Sequence, residues 1–229
     1  MFPYSDLPAG SQPLVVANLV GRDILSRLLL VRHGNTALNS AERYWGQTDV
    51  ELSAAGIKQA ERLRDRLAVE GIDAVYSSNL KRALATAHII ASSHRLDVIV
   101  REELREVNFG KLEGLTFKEI DELYPEVTEA WSNWSLAFEF PGGESVSELD
   151  ARVSKFLGKL QEHTSEETIL IVAHSAPLRL LICHLLGIGL QHWRQFRLDL
   201  ASLSIVETYS QGAVINLLND TSHLREVGK

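Results

Sequence analysis

The sequence of 229 residues has a single cysteine, Cys183, so no internal disulfide can staple it, and that residue sits in an apolar stretch, Leu180 to Leu186, that reads as buried helix. A reducing compartment such as the cytoplasm suits such a chain. No apolar run reaches the ~18–20 residues that cross a bilayer. The first residues also lack the basic start and continuous apolar stretch of a secretory signal, so a soluble, intracellular protein without membrane partners is expected. Positive charge is in deficit: 23 Lys and Arg against 30 Asp and Glu give a net charge of −7. This argues against a nucleic-acid partner, whose phosphates need a basic face, but leaves room for a small anion in a locally positive pocket. Metal-ligand spacing such as His-Glu-x-x-His is missing. His88, His94, His163, His184 and His192 read as helix or loop residues, and neither a metal nor a cofactor is expected. Internal repeats and low-complexity tracts are absent.

What is present is 45% apolar sequence, enough to bury one sizeable core. Leu28-Leu29-Leu30-Val31 is short, wholly apolar and followed by polar residues and Gly34, the pattern of a central parallel strand ending at a functional loop. Between Ser53 as N-cap and Gly71 as C-cap, Ile57, Ala60, Leu63 and Leu67 recur three or four apart and predict a helix. A second strand, Ala74 to Ser77, and a helix from about Leu80 continue a βαβ rhythm, and Val98 to Val100 reads as a third strand. Leu104 to Gly114 is loop-like. The connection from Thr116 to Phe140 mixes a short helix with Pro125 and carries Trp131, Trp134, Phe138 and Phe140; with Trp45, these aromatics line a ligand mouth or pack a lid. Ser145 and Glu148 form a capping box before a helix with Val146, Leu149, Val153, Phe156, Leu157 and Leu160 on its apolar face. Ile169 to Ala173 is another buried strand that runs into His174 and an apolar helix, and Leu203–Thr208 with Ala213–Leu218 predicts a closing hairpin. The expected fold class is α/β: three layers, α/β/α, around a mostly parallel central sheet. Residues 1–26, with three prolines and the apolar run Leu14 to Val20, form an amino-terminal extension to a domain spanning 27–229.

Ligands of open α/β sheets collect at the carboxyl ends of the strands. His33 and His174 each follow such an end. Arg32 precedes the first histidine and offers a forked donor suited to phosphate oxygens, and Gly34 follows it. Arg82 opens the helix after the second strand, where an anion also gains from the helix amino end. Glu106 lies in the loop after the third strand. Two histidines, two arginines and a carboxylate at one sheet edge point to chemistry on an anion, although each alone also fits an ordinary solvated charge.

These residues lie in segments that resemble the histidine phosphatase superfamily, the phosphoglycerate-mutase-like group. The segments are Arg32-His33-Gly34-Asn35-Thr36 with Asn39, Gly46 to Asp49 through Leu52 to Gly56, Ser77 to Ala83 with Thr86 and Ala87, and Leu104 to Gly110 with Glu113 and Gly114. Pro141 to Ser145, Val172-Ala173-His174 and the tail Leu218 to Leu224 match too. The resemblance implies metal-independent hydrolysis of a small phosphomonoester. His33 would take the phosphoryl group, Arg32, Arg82, His174 and Asn39 would bind it, and Glu106 would protonate the leaving alcohol and later activate water. One departure is Ser175-Ala176 after the second histidine, where many relatives place glycine. Only 68 positions separate Glu106 from His174, a short cover compared with the mutases' longer insertion, which favours hydrolysis over mutase chemistry. The pattern looks most like small bacterial phosphatases, including those acting on α-ribazole 5′-phosphate; a homodimer is common among such proteins. The alternatives are a phosphoglycerate mutase and a catalytically silent phosphate-binding module.

Overall fold

Along strand β1 (Ser26–Arg32) both alternating sets of side chains are apolar, because both faces of the strand are covered. Leu28 and Leu30 belong to one core, Leu29 and Val31 to the other. The computed structural model describes residues 24–38, 43–132, 138–163 and 166–225. Among these the strands are β1, β2 (Ala74–Ser77), β3 (Val98–Val100), β4 (Glu167–Ala173), β5 (Leu203–Tyr209) and β6 (Gly212–Asp220), ordered β3-β2-β4-β1-β5-β6. The first four in that order run parallel and the hairpin β5-β6 adds two antiparallel strands. The mostly parallel three-layer fold read from the sequence is therefore present. The amino-terminal run Leu14 to Val20 lies outside the described residues.

Helices α1 (Ala54–Leu67) and α2 (Lys81–Ala91) cover one face; Leu63, Leu67, Ala83, Ala87 and Ile90 pack there on Val75, Leu170 and Val172. Beyond the short α3 (Phe117–Leu123) and α4 (Pro125–Ser132), helices α5 (Val146–Leu160) and α6 (Ser175–Leu186) cover the other face. Leu149, Val153, Phe156, Leu178 and Leu181 meet Tyr76, Ile169 and Ile171 on that side. Each such large side chain taken out of water contributes roughly 1.5–3 kcal/mol before entropy is counted. The predicted capping box holds: Ser145 Oγ accepts from Glu148 N–H while the Glu148 carboxylate accepts from Ser145 N–H.

Two details of α1 differ from the periodicity. Ile57 is 44% exposed, and Gly56 faces inward instead. A Cβ on Gly56 would stand 2.0 Å from the Asn35 carbonyl oxygen, so the helix rests directly on the backbone that follows β1. Gly71 is not the cap: α1 ends at Leu67 and the chain leaves through a turn in which Glu70 N–H donates to the Leu67 carbonyl. Strand β3 lies at the edge of the sheet among the described residues, and its Ile99 and Val100 are partly exposed.

Candidate active site

Parallel register brings the two histidines together. Arg32 pairs with Ala173, so the next residues, His33 and His174, leave the sheet side by side, with ring centroids 4.9 Å apart. His33 is held at both ends of its backbone: its N–H donates to the Ala173 carbonyl and its carbonyl accepts from Ala201 N–H. Nδ1 lies 2.8 Å from the Gly34 carbonyl oxygen and Nε2 lies 3.3 Å from Arg82 Nε. Guanidinium can only donate, so Nε2 carries the lone pair and Nδ1 the proton, donated to Gly34. Burial, then the charges of Arg82 and Arg32, hold the His33 imidazole well below its ordinary 6.5, keeping it neutral. Burial likewise lowers His174, followed by Arg82, His33 and the other arginines. His174 Nε2 lies 3.0 Å from Ser78 Oγ, and its Nδ1 is buried with no partner.

Arg82 is fixed by a loop rather than by a carboxylate. Its two terminal nitrogens donate to the Gly46 and Thr48 carbonyls at 2.6 and 2.9 Å. Glu113 shapes that loop by accepting from the Gln47 and Thr48 N–H groups and the Thr48 hydroxyl. A Cβ on Gly46 would meet the Val107 carbonyl oxygen at 2.2 Å, so this close approach of two loops needs glycine. Arg32 donates from one terminal nitrogen to the Leu198 carbonyl at 2.6 Å, while its Nε is buried without a partner.

Glu106 reaches the amino end of α6. Its carboxylate accepts from Ser175 N–H and Ala176 N–H, each at 3.1 Å, and from its neighbour Val107 N–H at 3.0 Å. Among the described residues it forms no ion pair with Arg82 or Arg105. Arg152, itself paired with Glu144, ties down the segment carrying Glu106 by donating to the carbonyls of Glu103, Arg105 and Glu106.

Arg32, His33, Arg82, Glu106 and Ser175 open on a cavity of about 360 Å³. Arg43, Arg179 and Arg194 line it as well, and Tyr44, Trp45, Phe109, Trp131, Phe140 and Trp193 form its aromatic wall. His174 packs against His33 but is not among the lining residues. Asn39 and Trp134 lie outside the described residues. Phe138 stacks edge-on against Phe140 behind the wall. Of the other histidines, His163 bonds Tyr76 and Glu167, and His184 bonds Asp150. No cluster of three metal-ligating side chains occurs among the described residues, and no helix there is long and apolar enough to cross a membrane.

Residues 28–221 match the family described as histidine phosphatase superfamily (branch 1). The chain belongs to that family. Phosphoserine phosphatase 1 of Hydrogenobacter thermophilus is 38% identical over 200 residues, covering 87% of this chain and 95% of that protein. Phosphoglycerate mutase-like protein 4 of Arabidopsis thaliana is 38% identical over 159 residues, 68% of this chain and 69% of that one. The crystal structure of the α-ribazole phosphatase of Shigella flexneri superimposes with a TM-score of 0.77 at 34% identity, covering 85% of this chain and 96% of that one.

Within this histidine phosphatase, sequence reading missed Arg43, Arg179 and Arg194 in the cavity and the supporting roles of Ser78, Glu113 and Arg152. The signal for Arg179 was available: it stands one helical turn after Ser175, on the same face of α6.

Two neutral buried imidazoles also set an acid limit on stability. Unfolded, each titrates near 6.5, above its folded value, so below that pH the unfolded chain binds more protons and gains. Stability should be level above pH 6.5 as far as these two groups go. As the pH falls it should be lost at ~1.4 kcal/mol per unit per histidine, until the folded imidazoles protonate. Urea midpoints between pH 7.5 and about 5 read this slope; a flat midpoint would contradict the neutral pair.

Proposed function

We propose that the chain hydrolyses small phosphomonoesters through a covalent phosphohistidine on His33. The observation that supports this most is the fixed tautomer: the Nε2 lone pair, beside Arg82 in the cavity, is free of a proton because Nδ1–H is bonded to the Gly34 carbonyl. A phosphate dianion repels nucleophiles, so its charge must be neutralised before attack. Arg32 and Arg82 supply that charge, and His174 Nδ1, unpartnered in a buried position, becomes a third donor when Ser78 O–H bonds its Nε2. As the phosphate enters, the hydrogen bond donated by Arg82 Nε–H shifts from His33 Nε2 to a phosphate oxygen, which frees the lone pair while Arg82 keeps its proton. Nε2 then bonds phosphorus as the ester P–O bond breaks, and Glu106 protonates the departing oxygen. In the second half Glu106 takes a proton from water, whose oxygen displaces the histidine from phosphorus, yielding phosphate and the neutral imidazole.

The phosphatase names of the relatives support hydrolysis of small phosphate esters as the activity. Phosphoserine and α-ribazole 5′-phosphate, which those names carry, are both candidates by size. Hydrolysis is favoured over transfer to a second hydroxyl by the short segment between Glu106 and His174, which gives water access that a mutase must deny. Guanidinium charge supplies what a metal would otherwise give, so turnover is expected to persist with a chelator present. In this reading residues 27–229 are the catalytic domain. The buried Cys183, its thiol pushed up to about 11 by burial, plays no part, and a reducing cytoplasm suits it.

The test is chemical trapping: denature the enzyme in alkali during turnover of p-nitrophenyl phosphate with EDTA present, and map the phosphorylated peptide. An acid-labile phosphate on His33 is expected. Turnover with no adduct, or turnover abolished by EDTA, would refute the reading.

A further inference from the structure

The cavity holds more positive charge than a phosphate needs. Five guanidiniums line it, against one carboxylate, Glu106. Arg43 is matched from outside by Glu119, at 2.6 Å. A phosphate bound beside His33 engages Arg32 and Arg82; of the other guanidiniums one has no partner among the described residues, and its side chain can be identified.

Arg32 donates to the Leu198 carbonyl, Arg82 to two loop carbonyls, and Arg194 to the Trp131 carbonyl while lying over the Trp131 ring. Arg179 alone among the five has no hydrogen bond and no ion pair within the described residues, and its Nε is buried with no partner. Leaving a guanidinium largely desolvated and unpaired is costly, and here burial depresses its pKa, with the nearby cations Arg32 and Arg194 adding to the effect. Its place is defined by the helix. Arg179 follows Ser175 by one turn, both side chains face the cavity, and Ser175 N–H also holds Glu106, the group next to the leaving oxygen in the proposed reaction.

We infer that Arg179 is a specificity-determining residue that binds a carboxylate on the leaving alcohol, making the preferred substrates small phosphomonoesters of hydroxy acids. This rests on the phosphohistidine reading above and deepens it. A carboxylate, with its single negative charge, matches one unpartnered guanidinium. The planar guanidinium fork also fits a carboxylate with two parallel hydrogen bonds.

The test uses matched esters that differ only at the carboxylate: O-phosphoserine against O-phosphoethanolamine, and 3-phosphoglycerate against glycerol 3-phosphate. Wild-type enzyme is expected to favour the carboxylate-bearing member of each pair by roughly ten- to a hundredfold in kcat/KM, the range for a charge-assisted hydrogen bond, mainly through KM. Arg179→Gln should bring both ratios towards one, Arg179→Lys should restore part of the preference, and Arg179→Glu should turn it towards phosphoethanolamine. A wild-type ratio near one, or a ratio that Arg179→Gln leaves intact, would overturn the assignment. So would an equal loss on both members of a pair, which would place Arg179 on the phosphate or in a purely structural role. p-Nitrophenyl phosphate separates the two levels: if wild type fails to hydrolyse it along with every other ester, the phosphatase reading itself has failed. If it is hydrolysed while the carboxylate confers no advantage, only the role of Arg179 has.

Discussion

Replacing His33 with alanine is expected to lower kcat/KM for every phosphomonoester by a factor on the order of 10⁴ or more, because the covalent route loses its only nucleophile. Among the described residues the neighbouring imidazole, His174, cannot take over: its Nε2 is engaged with Ser78, and its Nδ1 carries the proton offered to the phosphate, so it has no free lone pair to attack phosphorus. The loss should not come from unfolding, since the substitution removes a desolvated neutral ring held beside two guanidiniums, and the sheet on either side is fixed by backbone bonds from His33 that alanine keeps. Circular dichroism and a urea midpoint would verify this. The decisive measurement is single-turnover release of p-nitrophenol: wild type should release one equivalent rapidly, and His33→Ala should show no such phase and no labelled protein. Activity within tenfold of wild type would remove His33 from the mechanism.

Much of this site was legible from sequence because its central residues are placed by regular structure. An apolar strand followed by Arg-His-Gly, and another followed by His, fix two strand ends; parallel pairing of β1 with β4 then makes them neighbours, which the order of elements allowed but did not require. The capping box at Ser145 was equally local. What escaped depends on contacts between distant segments. Glu113 stood out only as part of a matching segment, and only the fold shows it shaping the carbonyls that grip Arg82, some 30 residues earlier in the sequence. Arg152 carries no signal of its own in the sequence, yet it spans three carbonyls of the Glu106 loop. Ile57 satisfied the helical period but lost the inward position to Gly56, because the Asn35 backbone approaches too closely for any side chain.

The role proposed for Glu106 makes a prediction that loss of the nucleophile does not share. An acid that protonates the leaving oxygen matters most when that oxygen would otherwise depart as a strongly basic alkoxide, and little when it departs as p-nitrophenolate, which is stable without a proton. Glu106→Ala should therefore slow phosphohistidine formation by about 10²–10⁴-fold with an alkyl ester such as glycerol 3-phosphate, and far less with p-nitrophenyl phosphate. The second half-reaction needs the same carboxylate as a base for water, whichever ester supplied the phosphoryl group. With p-nitrophenyl phosphate the variant should thus give a burst of about one equivalent of p-nitrophenol and then stall, with His33 phosphorylated. Glutamine is a poorer substitute than its shape suggests. Three backbone N–H groups converge on the two carboxylate oxygens, and an amide would set its own N–H₂ against one of them. This leaves a donor unsatisfied at a cost of ~1–3 kcal/mol. Alanine instead leaves room for water to meet those donors, so a stalled phosphoenzyme in Glu106→Ala is the cleaner result. An equal slowing of both esters, with no accumulated adduct, would assign Glu106 to holding the start of α6 rather than to moving protons.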